Sequence, residues 1–180
     1  MPGTVRAVHV VLVNPQIPPN TGNLIRLCAN TGNDLHLVEP IGFSMDDTLL
    51  RRGGLDYHER TRVTMHPNLD HVRSSLTGRF FAFSSHGTRR YTEVDFRTDD
   101  VLVFGTEQHG LGAATIQTFP DQHILTIPML PHNRSLNLAN AVAVVTYEAW
   151  RQRGFDGAGD PIDPVAGLTT ERLGTEPFDR

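Results

Sequence analysis

Lysine is absent from this chain of 180 residues, in which all 16 basic side chains are arginine. A Walker A phosphate loop and Schiff-base catalysis both need a lysine amine, so the sequence excludes both. Only one cysteine, Cys28, is present, which excludes an internal disulfide and a cysteine-rich metal cluster. Cys28 lies within an apolar helical pattern, which is typical of a small core residue.

Long hydrophobic runs are absent as well. No apolar stretch approaches the roughly 20 residues that span a bilayer. The N-terminus lacks the charged-then-apolar pattern of a secretion signal, so we expect a cytoplasmic protein without a membrane segment. Hydrophobic residues make up 38% and charged residues 20% of the chain. These proportions and the length predict one globular domain.

The net charge of −4 is concentrated near the C-terminus. Residues 156–180 hold six acidic and two basic side chains, interrupted by glycine and proline without a helical or strand period. Residues 1–155 hold 14 arginines and 14 acidic side chains and are neutral overall. We therefore expect a folded domain over residues 1–155 and an acidic tail over 156–180 that the fold and the chemistry do not need.

Short apolar runs alternate with helical patterns along the domain, which predicts an α/β fold with a mostly parallel sheet and helices on both faces. Strands are expected at Val8–Val13, Leu35–Val38, Val63–Met65, Phe80–Phe83, Val101–Phe104 and Ile124–Ile127. Helices are expected from Asn20 or Thr21 to Gly32, from Asp46 to Arg52, over Pro67–Leu76, and over Leu136–Trp150 with Ser135 as its N-cap.

Ligands of such sheets bind at the carboxyl ends of the strands. The candidate binding loops are therefore Asn14–Asn23, Gly105–Gly112 and Pro128–Ser135. The second loop has three glycines, which permit close approach of its backbone to a ligand. It does not match GxGxxG, and the chain contains neither HExxH nor GxSxG. His66 and His71 are interpreted as surface residues and not as metal ligands.

Two helices carry polar side chains near these loops. Asn23, Arg26 and Asn30 share one face of the first helix, which a solvated surface explains equally well. Asn137 and Asn140 lie three residues apart near the start of the last helix, where free N–H groups favour a polar ligand. A capped core helix with a polar exposed end is the alternative.

Taken together, the loops resemble the three motifs of SPOUT (SpoU–TrmD) RNA methyltransferases. The matching segments are residues 14–26 (NPQIPPNTGNLIR), 104–111 (FGTEQHGL), 127–129 (IPM) and 135–141 (SLNLANA). Residues 50–59 (LRRGGLDYHE) are similar to the small TrmL or YibK-like branch, which methylates the ribose 2′-oxygen of the tRNA wobble nucleotide. The resemblance covers about residues 5–155.

The resemblance implies a fold whose C-terminal part is tied into a trefoil knot. It also implies a homodimer, because the small branch has no separate RNA-binding domain, with the anticodon stem-loop of tRNA as partner. The implied cofactor is S-adenosylmethionine, without a metal, held mainly by backbone groups. Carried over, its contacts are Phe83, Gly105, Ile127 and Ser135, with Leu130 and Leu136 beside the adenine.

The same resemblance implies the catalytic residues. Arg26 is expected to grip the phosphate next to the target ribose and to stabilise negative charge on its 2′-oxygen. An arginine is always protonated, so a phosphate is the expected proton acceptor. Asn23, Glu107 and Asn137 are expected to orient Arg26 and the ribose.

Two other functions stay open. One is methylation of ribosomal RNA or of another tRNA position on the same scaffold. The other is a catalytically idle RNA-binding or assembly protein, against which the intact Arg26, Glu107 and Asn137 argue. The sequence does not distinguish cytidine from uridine at the wobble position.

Overall fold

Seven parallel strands form one sheet in the computed structural model, which describes residues 7–45 and 63–159. The strand order is β3-β2-β1-β6-β4-β7-β5. The strands are β1 (His9–Val13), β2 (Asp34–Val38), β3 (Val63–His66), β4 (Phe80–Phe83), β5 (Arg89–Arg90), β6 (Val101–Phe104) and β7 (Ile124–Thr126). The helices are α1 (Pro18–Thr31), α2 (Leu69–Ser75), α3 (Ala113–Ile116) and α4 (Leu138–Gln152).

The predicted α/β class is confirmed, and the six predicted strands appear with ends within one residue of their expected positions. The two-residue β5 and the four-residue α3 were not predicted, because they are too short to show a period. The helix expected over Asp46–Arg52 and the motif at residues 50–59 lie outside the described residues.

All three predicted helices that lie within the described residues start at other residues than predicted. Helix α2 begins at Leu69 after an Asn68 cap, so Pro67 precedes the helix and does not lie in its first turn. Helix α1 begins at Pro18, so Asn20 and Thr21 lie inside it and neither is the cap. Proline suits a first helical turn because its missing N–H has no intrahelical acceptor there. Helix α4 begins at Leu138 after an Asn137 cap, so the prediction of Ser135 as cap was wrong.

Both faces of the sheet are covered. Val10 and Leu12 of β1 face the helices α1 and α4, whereas Val11 faces the side of α2. Such double burial explains why the central strands read as continuous apolar runs. Cys28 on α1 is fully buried, and burial raises the pKa of its thiol to about 12. Within the described residues no helix is both long and apolar enough to span a bilayer.

A chain of four histidines crosses the α2 side of the sheet. His9 Nδ1 lies 3.1 Å from His36 Nε2, and His36 Nδ1 lies 2.9 Å from His66 Nε2. His66 Nδ1 in turn lies 2.9 Å from His71 Nδ1 on α2. His36 and His66 are buried, so the interpretation of His66 as a surface residue was wrong.

The histidine chain should make the fold sensitive to acid. Burial, and then the charges of His9 and His66, lower the pKa of His36 from 6.5 to about 3. The unfolded chain therefore binds this proton more readily, so the contribution of His36 is fully present above about pH 6.5 and is lost as the pH falls towards 3. Urea denaturation between pH 7.5 and 5 should show this loss. A His36→Gln variant should make the free energy of unfolding depend less on pH. A change at the exposed His132 should leave this pH dependence as steep as in the wild type.

The end of α4 is anchored by the residues that follow it. Trp150 Nε1 donates to Asp156 O at 2.9 Å, and the Trp150 and Phe155 rings meet edge to face at 5.3 Å. Gly154 makes the turn with a φ of 67°. Asp156, the first residue of the expected tail, thus contacts the helix, so we expect the part that the fold does not need to begin after Gly159.

Truncation should separate this anchor from the acidic tail. A chain ending at Gly159 should keep its free energy of unfolding within about 0.5 kcal/mol, because it keeps both Trp150 contacts. A chain ending at Gly154 should lose about 1–3 kcal/mol, because the indole loses its acceptor and its ring partner. Equal losses in chemical denaturation of the two truncated chains would show that the tail beyond Gly159 is structural.

Candidate active site

A cavity of about 340 Å³ opens at the carboxyl ends of β4, β6 and β7. This is the position that a parallel sheet provides for a ligand. Its floor contains Phe83 and Phe104, whose rings stack at 4.5 Å with planes 9° apart. Its wall is formed by residues 84–86, 105–111 and 126–127 with Met129, Ser135, Leu136, Leu138 and Ala141.

The structure brings five of the six predicted cofactor residues together. Phe83, Gly105, Ile127, Ser135 and Leu136 all line this cavity. Leu130 does not line it and is 78% exposed. The wall therefore combines stacked aromatic and aliphatic side chains with the backbone of the glycine loop.

The glycines of residues 105–112 allow the loop to fold back on itself. Thr106 N donates to Gly110 O at 3.1 Å, and Gly110 N donates to Thr106 O at 2.9 Å. A Cβ atom on Gly105 would lie 2.0 Å from the Gly110 carbonyl carbon. Gly105 is thus required by the loop's own backbone, and a larger side chain there would disrupt the loop before it tested ligand binding.

Glu107 ties this loop to the start of α1. Its carboxylate accepts from Gln16 N at 2.9 Å, from Ile17 N at 3.0 Å and from Asn20 Nδ2 at 3.2 Å. A carboxylate is stabilised beside a helix N-terminus, where unpaired N–H groups and the helix dipole present positive charge. Glu107 therefore supplies, from another loop, the cap that the sequence around α1 lacks.

Asn20 extends this hydrogen-bonded connection to the start of α4. Asn137 Nδ2 donates to Asn20 Oδ1 at 3.0 Å, while Asn137 Oδ1 accepts from Ala139 N at 2.9 Å. The amide of Asn20 is buried and uses both ends, one towards Glu107 and one towards Asn137. One hydrogen-bonded chain thus joins all three motif loops.

Sequence reasoning missed Asn20 as a site residue because it placed Asn20 at the helix cap. The prolines at 18 and 19 were the available signal, since they indicate an earlier helix start with Asn20 on an inner face. Asn23 and Arg26 lie further along α1, where both side chains are exposed. Neither lines the cavity, and Asn20, not Asn23, connects to Glu107 and Asn137.

The wall contains three titratable side chains, His86, Glu107 and His109. His86 and His109 were not predicted as site residues, because single histidines outside a metal pattern carry no sequence signal. Among the described residues, no group of three or more His, Cys, Asp or Glu side chains could hold a metal ion.

This fold and cavity define a class of α/β proteins that bind a ligand above a parallel sheet. The model of the SpoU rRNA Methylase family matches residues 7–147. The chain therefore belongs to the SpoU rRNA methylase family, and the resemblance to SPOUT RNA methyltransferases is confirmed.

Relatives within this family are similar over most of their length. A tRNA (cytidine(34)-2'-O)-methyltransferase of Acidovorax sp. (strain JS42) is 55% identical over 151 residues, which is 82% of this chain and 93% of the relative. The enzyme of the same name from Escherichia coli (strain K12) is 50% identical over 152 residues, covering 84% and 97%. A solved structure concerned with 2-OH methylation of C/U34 on tRNA is 41% identical with a TM-score of 0.78, covering 83% and 98%.

Substitution of Asn20 should test the connection between the motifs. Asn20→Asp replaces the donor that faces Glu107 with a carboxylate oxygen, so two like charges would meet at a site where a hydrogen bond is now made. We expect a loss of about 1–3 kcal/mol in the free energy of unfolding and a fall in methyl-transfer rate. Urea denaturation and single-turnover kinetics measure the two effects.

The matched control is Asn30→Ala, which removes an exposed amide from the same helix. It should change neither quantity. If Asn20→Asp were as stable and as active as the control, the connection between the loops would have no role.

Proposed function

We propose that this protein is an S-adenosylmethionine-dependent methyltransferase that acts on the ribose 2′-hydroxyl of the tRNA wobble nucleotide, cytidine or uridine 34. The observation that carries the proposal is the Glu107–Asn20–Asn137 connection, which holds the three motif loops around one cavity. The names of relatives at 50% and 55% identity support the reaction and the position. The family description names ribosomal RNA, but relatives this similar favour tRNA. A tRNA substrate supports a cytoplasmic location.

The cavity fits the cofactor by the chemistry of its wall. Stacked Phe83 and Phe104 with Ile127 and Leu138 offer an apolar surface for a nucleoside base. The backbone of residues 105–111 offers polar groups at close range, because Gly105 and Gly110 carry no side chain. S-adenosylmethionine, when bound, supplies a methyl group activated by a sulfonium. These residues would hold it, and no metal ligand set is needed.

Arg26 is the residue that we assign to the 2′-oxygen. The ribose hydroxyl is a weak acid, so negative charge that develops on its oxygen needs stabilisation. The guanidinium stays charged and presents a planar fork that matches a phosphate and a neighbouring oxygen. Arg26 lies on α1 about 9 Å along the helix from Asn20, at 1.5 Å per residue. Glu107 and Asn20 would act by fixing the position of α1. The proton of the 2′-hydroxyl would pass to a phosphate of the RNA.

We propose that two copies assemble through the layer of α1 and α4. These helices pack on each other and cover one face of the sheet. Val144 and Tyr147 on the outer face of α4 are 39% and 45% exposed, and Ile17 beside α1 is 40% exposed. Ala139 and Ala149 of α4 pack inward against the core, whereas Val144 and Tyr147 face outward. A second copy would cover them and extend the surface for an anticodon stem-loop.

We also propose that the chain is knotted. Strand β7 lies between β4 and β5, which are joined by residues 84–88 only. This connection crosses the end of β7 closely, since a Cβ atom on Gly87 would lie 2.6 Å from the Leu125 carbonyl carbon. The chain beyond Thr126 must leave past this crossing on its way to α4. Passage through the loop would produce the trefoil knot of SPOUT proteins.

Mass spectrometry of nucleosides from the tRNA of a deletion strain tests the proposed substrate. Loss of 2′-O-methylation at position 34 is the expected result. Loss of methylation at another tRNA position or in ribosomal RNA would show that the proposed substrate is wrong, but the proposed reaction would still stand. Calorimetric titration with S-adenosylhomocysteine separates an enzyme from an idle scaffold, which would show no binding.

Substitution of Arg26 should impair turnover but not cofactor binding. Arg26 lies outside the cavity wall, so Arg26→Ala and Arg26→Lys should bind S-adenosylhomocysteine like the wild type. Both should methylate tRNA at least about 100-fold more slowly, because neither side chain offers the planar, preorganised fork that stabilises the developing charge.

Single-turnover methylation of a tRNA transcript measures this effect. Arg97→Ala is the control, since Arg97 is an exposed arginine before β6, at the opposite end of the sheet. Near-wild-type turnover of Arg26→Lys would show that positive charge alone suffices and that the bidentate role is wrong.

A further inference from the structure

Two imidazoles of the cavity wall have no role in the interactions described above. Of the three titratable side chains in the wall, Glu107 is occupied by two backbone N–H groups and Asn20. His86 and His109 are exposed. Within the described residues, neither ring has a hydrogen-bond or ion-pair partner, and only their backbone N–H groups are bonded. The two rings are therefore available to a ligand.

The backbones of both histidines are held by short, hydrogen-bonded turns that follow neighbouring strands. His86 N donates to Ser84 Oγ at 3.2 Å in the turn after β4. His109 N donates to Thr106 Oγ1 at 3.1 Å in the loop after β6. Strands β4 and β6 are adjacent in the sheet, and the stacked Phe83 and Phe104 mark the base of both turns. Both histidines therefore line the same cavity as this aromatic pair.

The chemistry of the wall separates an apolar base from a polar mouth. The base offers aromatic and aliphatic carbon, which suits an uncharged ring. At the mouth, an imidazole N–H donates a strong hydrogen bond to an anionic oxygen. The wall has no competing carboxylate there, because Glu107 is already bonded to the start of α1.

We propose that His86 and His109 form an anion-binding pair at the cavity mouth, which takes a carboxylate or phosphate oxygen of the bound ligand. The pair rests on the proposed function, which supplies both groups: the cofactor carries a carboxylate and tRNA carries phosphates. The pair fixes which end of a ligand faces outward, because the apolar base accepts only the uncharged end.

Calorimetry with two probes tests the carboxylate source. S-adenosylhomocysteine and its decarboxylated analogue are titrated into the wild type, His86→Ala, His109→Ala and the double variant. If the carboxylate is bound, the wild type prefers S-adenosylhomocysteine, and each substitution reduces this preference by about tenfold, the effect of one hydrogen bond to a charged group.

Binding of a tRNA transcript at several salt concentrations tests the phosphate source. If a phosphate is bound, each substitution leaves the affinity for S-adenosylhomocysteine unchanged. The affinity for the tRNA transcript then falls by about tenfold, because one hydrogen bond to a phosphate oxygen is lost. Because both rings are exposed, the variants should keep the wild-type melting temperature. The control is His132→Asn, on the loop after β7 but outside the cavity wall; asparagine tolerates its φ of 65°.

A double variant that matches the control in both measurements would overturn the anion-binding pair. The proposed function would still stand in that case, provided that the wild type binds S-adenosylhomocysteine and methylates tRNA. A wild type that binds neither probe would instead overturn the proposed function.

Discussion

The carboxylate of Glu107 is the contact on which the geometry of the site depends. It accepts hydrogen bonds from Gln16, Ile17 and Asn20 at the start of α1, and these residues precede Glu107 by 87 to 91 positions in the sequence. Asn20 then carries the connection across 117 residues to Asn137 at the start of α4. Three loops that would otherwise vary independently are thus held at fixed separation, which places the cavity wall and the face of α1 that bears Arg26.

The donors for Glu107 are themselves positioned by the residues after β2. Asn14 adopts a φ of 53°, a conformation that asparagine tolerates well, and its Nδ2 donates to Pro40 O at 3.2 Å. Gly42 N donates to Pro15 O at 2.9 Å, and a Cβ atom on Gly42 would lie 2.9 Å from Gln16 Cα. The loop before α1 is therefore packed against its neighbour before any ligand arrives. Such preorganisation is what a polar site needs to stabilise charge without rearranging.

The sequence was informative where a residue's structure depends on its neighbours in the chain. Strand β6 (Val101–Phe104), which is buried on both faces, was predicted to the residue. The cap of α1 could not be predicted, because its carboxylate comes from Glu107 in another loop. The histidine chain could not be predicted either, because its members are distant in sequence. The register of three strands decides which imidazoles meet. Five of the six residues predicted from the motifs to contact the cofactor line the cavity, whereas His86 and His109 become visible as wall residues only when two loops meet in the fold.

The four linked histidines also have a direction. A neutral imidazole has one N–H and one lone pair, so each link needs a donor on one side and an acceptor on the other. If His9 donates to His36, then His36 must donate to His66 and His66 to His71. The opposite order requires all four rings to exchange tautomers together. The histidine chain therefore has two opposite arrangements of protons for one arrangement of heavy atoms.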